Sequence, residues 1–78
     1  MHTFDCEITD TFGGQANYSW VRRATFELPD NCSDRSVVIA AKAALGITGV
    51  PCRTFRYGDS WELRVRGACE VAFISARY

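Results

Sequence analysis

Ser33-Asp34-Arg35-Ser36-Val37-Val38-Ile39-Ala40-Ala41-Lys42-Ala43-Ala44-Leu45-Gly46 is the stretch of this 78-residue chain whose apolar residues recur at helical spacing. Ser33 or Asp34 supplies an oxygen that caps the first turn, the helix runs to about Leu45, and Gly46 takes the left-handed conformation that ends it. Val37, Val38, Ala41, Ala44 and Leu45 fall on one stripe, and the small Ala side chains let the helix lie close to its support. Everything on either side reads as strand or turn. One helix between two runs of strands therefore predicts an α+β domain.

Upstream, Phe4, Cys6 and Ile8 alternate with Thr3, Asp5, Glu7 and Thr9 as in a half-buried strand. Asp10-Thr11-Phe12-Gly13-Gly14-Gln15-Ala16-Asn17 is rich in residues that tolerate turns, and a longer strand follows from about Tyr18 to Leu28. Its register has two readings. Strict alternation with Ala24, Phe26 and Leu28 inward also turns Tyr18, Trp20 and Arg22 inward. A bulge at Arg22-Arg23 instead sends Val21 inward and leaves Tyr18, Trp20 and Arg22 on the solvent face. The first reading buries a guanidinium with no evident partner, so the bulge is the favoured one. Pro29-Asp30-Asn31 ends the strand.

Downstream, Gly46, Gly49 and Pro51 break the chain before a strand at Cys52 to Tyr57. Gly58-Asp59 is a two-residue hairpin turn, and the return strand from Ser60 to Arg66 has Trp61, Leu63 and Val65 inward. Gly67-Ala68 turns into Cys69 to Ser75, where Val71 and Phe73 alternate against Glu70, Ala72 and Ile74. The order is β-β-α-β-β-β. The economical arrangement is an antiparallel sheet of four to five strands with the helix on one face.

Composition bounds what such a domain does. Residues 1–78 make a single domain, and a chain of this length buries only about 60% of its unfolded surface. An apolar fraction of 47%, with two Trp, three Tyr and five Phe, is ample for a core. Nine basic and nine acidic residues cancel to a net charge of zero, unlike the strongly positive surface of a general nucleic-acid binder. Of the basic residues only Lys42 is Lys, and Arg is favoured at interfaces for its forked hydrogen bonds, although a GC-rich genome gives the same bias. The start of the chain has neither a basic segment nor an apolar one behind it, and no apolar run approaches the roughly 20 residues that span a bilayer. The expectation is a protein of the host cytosol with no membrane contact. The sequons at Asn17 and Asn31 then go unused, and Cys6, Cys32, Cys52 and Cys69 are reduced and packed as small apolar residues.

Catalysis needs a base beside the group it activates. The sole His is His2, close to a terminus, and nothing singles out one Cys as a nucleophile. Asp5 and Glu7 occupy alternate strand positions, and pairing across the strand with Arg23 explains them. The scattered cysteines lack a zinc-ligand spacing, and Gly13-Gly14 opens a strand, so it is a turn with no phosphate-binding helix behind it. No catalytic residue, metal site or cofactor is expected.

What remains is a surface. Phe12, Tyr18, Trp20, Arg22 and Arg23 gather around the first hairpin, and aromatic and Arg residues dominate binding hot spots. A core role for Tyr18 and Trp20, with each Arg paired to an acid, accounts for the same residues. A second patch joins Arg53 or Arg56 to Arg64 and Arg66, interrupted by Glu62 and Glu70. It reads as an ion-pair lattice.

The run Thr9-Asp10-Thr11-Phe12-Gly13-Gly14-Gln15-Ala16-Asn17-Tyr18-Ser19-Trp20-Val21-Arg22-Arg23 resembles a segment that recurs in small proteins of phages and mobile elements. The chain as a whole, in size, composition and β-β-α-β layout, is similar to anti-CRISPR proteins carried by such elements. The resemblance implies stoichiometric inhibition of a host CRISPR effector by occupation of its surface. Many inhibitors that mimic DNA are strongly acidic, and the neutrality of this chain favours a protein partner contacted through aromatic and Arg side chains. The alternative is a nucleic-acid-binding module that stacks single-stranded bases on Tyr57, Trp61 or Trp20 beside Arg.

Overall fold

The helix forms where its signals predict. In a computed structural model, which describes residues 1–12, 15–67 and 69–77 and, for residues 12 and 15–20, the backbone alone, α1 spans Asp34–Leu45. Ser33 is the cap: its backbone is extended (φ −84°, ψ 164°) and its Oγ accepts the Ser36 N–H at 3.2 Å. Gly46 adopts φ 76° and donates its N–H to the Ala43 carbonyl, while Ile47 N–H reaches the Lys42 carbonyl at 2.8 Å. Those two bonds tie off carbonyls that the helix leaves unpaired.

The strands are β1 (His2–Phe12), β2 (Gln15–Leu28), β3 (Cys52–Tyr57), β4 (Ser60–Val65) and β5 (Glu70–Arg77). They form one five-stranded sheet in the order β2-β1-β5-β4-β3, with every neighbouring pair antiparallel. β2 leaves at one edge and β3 begins at the other, so α1 carries the chain across the sheet. Two hairpins then return the chain until β5 meets β1. The turn at Gly58-Asp59 closes on Tyr57 opposite Ser60, as its sequence predicts.

One face of the sheet holds the core. Phe4, Cys6 and Ile8 of β1, Trp61, Leu63 and Val65 of β4, and Ala72 and Ile74 of β5 are buried in one cluster with Val37, Ala41 and Leu45 of α1. Ala24, Phe26 and Leu28 of β2 pack against its flank. Phe4 stacks on Phe26 at 5.2 Å between ring centroids and meets the edge of Trp61 at 5.9 Å. Cys6 belongs to this cluster and Cys32 and Cys52 pack against it, while Cys69 is exposed; all four are free thiols.

Two sequence expectations are corrected. The irregularity in the first hairpin is not at Arg22-Arg23. Pairing is continuous from His2 opposite Leu28 to Thr9 opposite Val21, and shifts only before Thr11 opposite Ala16. Residues 17–20 fall within that shift, and alternation through the regular part carries Arg22 to the helix side beside Ile8. In β5 it is Ala72 and Ile74 that join the core, opposite Leu63 and Trp61, while Val71 and Phe73 face away. The run Val71-Ala72-Phe73-Ile74 is apolar at every position, so its own periodicity does not choose the phase. Pairing with β4, whose inner face is unambiguous, sets it.

No helix among the described residues is long and apolar enough to cross a membrane.

Candidate binding surface

Arg22 and Arg23 are adjacent in sequence, so a regular strand sends them to opposite faces. Arg22 reaches over the end of the helix, where its Nη1 donates to the Leu45 carbonyl at 2.7 Å. A cation there meets the negative end of the helix dipole and an oxygen without a partner in the helix. This carbonyl is the partner that could not be seen in the sequence, and it is why strict alternation is tolerated. Arg23 lies on the face away from the helix, with its Nε 3.4 Å from Glu7 Oε2. The two Arg therefore do not share one contact surface. The side chains of Phe12, Tyr18 and Trp20, the other members of the predicted cluster, lie outside the described residues.

The face that carries Arg23 is the side the helix leaves open. Strand register arranges it in rows. Arg23, Glu7, Phe73, Glu62 and Phe55 form one row across all five strands, and Thr25, Asp5, Ser75, Ser60 and Tyr57 form the next. Toward the β1–β2 turn this face is closed, since Thr9 and Val71 are fully buried although they point away from the helix. The accessible part is a shallow concavity of about 550 Å³ lined by Asp5, Glu7, Arg23, Thr25, Phe73 and Ser75. Tyr57, 61% exposed, stands outside it on β3, at the other edge of the sheet.

Charge on this face is largely compensated within it. Arg23 pairs with Glu7, Arg64 Nε bonds Glu62 Oε2 at 2.7 Å, and Arg77 Nε bonds Asp5 Oδ2 at 3.0 Å. Arg77 also bonds Asp5 Oδ1 through Nη2, and this hydrogen bond raises the guanidinium further above its ordinary range. Arg53 lies over the Phe55 ring at 5.6 Å. The second predicted patch is thus the ion-pair lattice that its interleaved Glu suggested, at least for Arg64.

Trp61 is no stacking platform. It is only 6% exposed, in the core between Phe4 and the Arg56 guanidinium, which sits 5.2 Å from its ring centroid. Arg56 is held there by Asp34 at 2.7 Å. Among the described residues the aromatic rings that the open face offers are Phe55, Tyr57 and Phe73. Tyr57 was legible as a candidate. Phe73 was not, because it fits a core reading equally well.

Comparison with known protein families, with curated proteins and with solved structures finds no match.

For catalysis the geometry offers little. Among the described residues no three of His, Cys, Asp or Glu come together as a metal site. His2 lies 3.5 Å from Asp30 at the edge of the molecule, beside the amino terminus. Cys6 is the most enclosed thiol: its Sγ donates weakly to the Ala24 carbonyl at 3.5 Å, and burial pushes its pKa up. A nucleophilic thiol needs the opposite shift.

Proposed function

We propose that this chain is a protein-binding domain, not an enzyme, that grips its partner with the helix-free face of its sheet. It works in the host cytosol as a stoichiometric inhibitor of a host defence complex, in the manner of the anti-CRISPR proteins that its size, composition and layout resemble. The observation that carries the binding reading is the makeup of the open face. Phe73, Phe55 and Tyr57 stand among three Arg whose charges are met by Glu7, Glu62 and Asp5. Aromatic area set in a rim of paired charges suits a protein surface, where specificity comes from complementary ion pairs. It suits a polyphosphate backbone poorly, because each local carboxylate repels phosphate.

Arg23, Phe73 and Tyr57 are the contacts this reading relies on. Phe12, Tyr18 and Trp20 are further contacts proposed on the strength of their sequence alone. Arg22 contributes by holding the helix end.

Titration of the chain into a DNA-cleavage assay with a purified CRISPR effector tests the proposal. Inhibition rises linearly to equivalence and then saturates. An effector that keeps full activity in large excess of the chain excludes the inhibitor reading for that effector type.

The second reading, single-stranded nucleic-acid binding, draws on Arg53 over Phe55 and on exposed Tyr57 beside them on β3. It predicts binding to labelled single-stranded DNA or RNA that weakens steeply as salt rises. Absence of binding at low salt eliminates it.

A further inference from the structure

The two edges of the sheet differ in a way that bears on self-association. β3 carries Arg53 and Arg56 and no acidic residue. Arg53 and Arg56 point to opposite faces and Asp34 of the helix already holds Arg56, so β3 laid against itself brings no opposite charges into register. β2 is different. Its regular part, Val21 to Leu28, carries Arg23 and Glu27 on the open face with Thr25 midway between them, and all three are exposed. Long edge strands are ordinarily blunted by Pro, Lys, a bulge or a cover. Val21 to Leu28 contains no Pro and no Lys, and the irregularity of the strand lies before Val21.

We propose that this edge pairs with the same edge of a second copy of the chain, antiparallel about a twofold axis at Thr25. In that register Thr25 meets Thr25, Arg23 meets Glu27, and Glu27 meets Arg23. On the helix side Ala24 meets Phe26, a small side chain against a large one, and Arg22 meets Leu28. Directly opposed residues of an antiparallel pair share a face, and opposite charges or paired Thr at such positions are stabilising. Moving the axis to Ala24 sets Arg23 against Thr25 and Glu27 against Val21. Moving it to Phe26 sets Arg23 against Pro29. Both alternatives lose both ion pairs, so the charges select one register. The twofold axis is perpendicular to the sheet, so the two helices lie on one side and the two open faces join on the other. An isologous contact of this kind closes at the dimer.

Sedimentation velocity of the full chain over a range of concentrations tests the proposal, and it reads mass alone, so it fails or succeeds independently of any partner. The wild type sediments as a dimer. Glu27→Arg converts two attractive pairs per dimer into two repulsive ones and raises the dissociation constant roughly tenfold or more. Combining it with Arg23→Glu reverses both charges and restores the dimer. Both positions are exposed, and circular dichroism confirms that the variants fold; should Glu27→Arg not fold, Glu27→Gln shifts the equilibrium in the same direction by less. A chain that stays monomeric at every concentration overturns the proposal. So does a dimer indifferent to the charge at position 27, or one that the double reversal does not restore.

Discussion

At the scale of single residues, Arg22 is the side chain whose role the structure most changes. Its bond to the Leu45 carbonyl links the edge strand to the end of the helix. Arg22→Ala therefore costs about 1–2 kcal/mol of stability in urea unfolding, the range of a partly exposed hydrogen bond from a charged group. Arg22→Lys recovers part of that, because an ammonium still meets the helix dipole. An unchanged unfolding midpoint in the Ala variant refutes the capping role. Cys6 makes a prediction about pH. Burial raises its pKa, so the fold favours the neutral thiol and holds its proton to higher pH than the unfolded chain does. The stabilisation is complete below the ordinary thiol value of about 8.5 and is lost as pH rises through the folded value. Stability of the wild type consequently falls more steeply in alkali than that of Cys6→Ala, and identical slopes in the two proteins contradict it.

At the scale of elements, the helix and its Gly46 stop are legible and its cap is narrowed to Ser33 or Asp34, because capping is local chemistry that the chain writes out in order. Ser33→Ala removes the oxygen that accepts Ser36 N–H and costs about 1 kcal/mol by thermal or urea unfolding. Leu45→Ala, in contrast, opens a void in a fully buried position and costs about 2–5 kcal/mol. In a domain this small that is enough to leave much of the population unfolded. The hairpin at Gly58-Asp59 and the inward set of β4 were legible for the same local reason. The register of β2 was not. It depended on whether a guanidinium near Ile8 could find an acceptor, and the acceptor is a backbone carbonyl 23 residues away in sequence. The phase of β5 is hidden because Val71-Ala72-Phe73-Ile74 is apolar on both faces, so only its neighbours reveal which side the helix covers. The candidate site inherited both ambiguities. The pairing of Glu7 with Arg23 is legible, whereas Asp5 goes instead to Arg77, Phe73 reads as inward by its own alternation, and Trp61, a stacking candidate in the nucleic-acid reading, is core.

For the whole molecule, pairing of β1 with β5 joins the two ends of the chain, and the helix closes one side of the resulting sheet. The proposed contact surface is the other side. Phe73 and Tyr57 should therefore tolerate substitution with little loss of stability, while the same changes weaken partner binding, the pattern of a contact surface. Compensated charge on that face also predicts weak binding to nucleic acid even at low salt. The most direct measurement of the central claim is capture of effector subunits from a lysate of CRISPR-bearing bacteria by the tagged chain. Three baits are compared: wild type, Phe73→Asp on the open face, and Ile39→Ser on the exposed side of the helix. The open-face account predicts that effector subunits come down with the wild type and with Ile39→Ser and are lost with Phe73→Asp. Effector subunits retained by Phe73→Asp and lost with Ile39→Ser, or captured by none of the three, would contradict it.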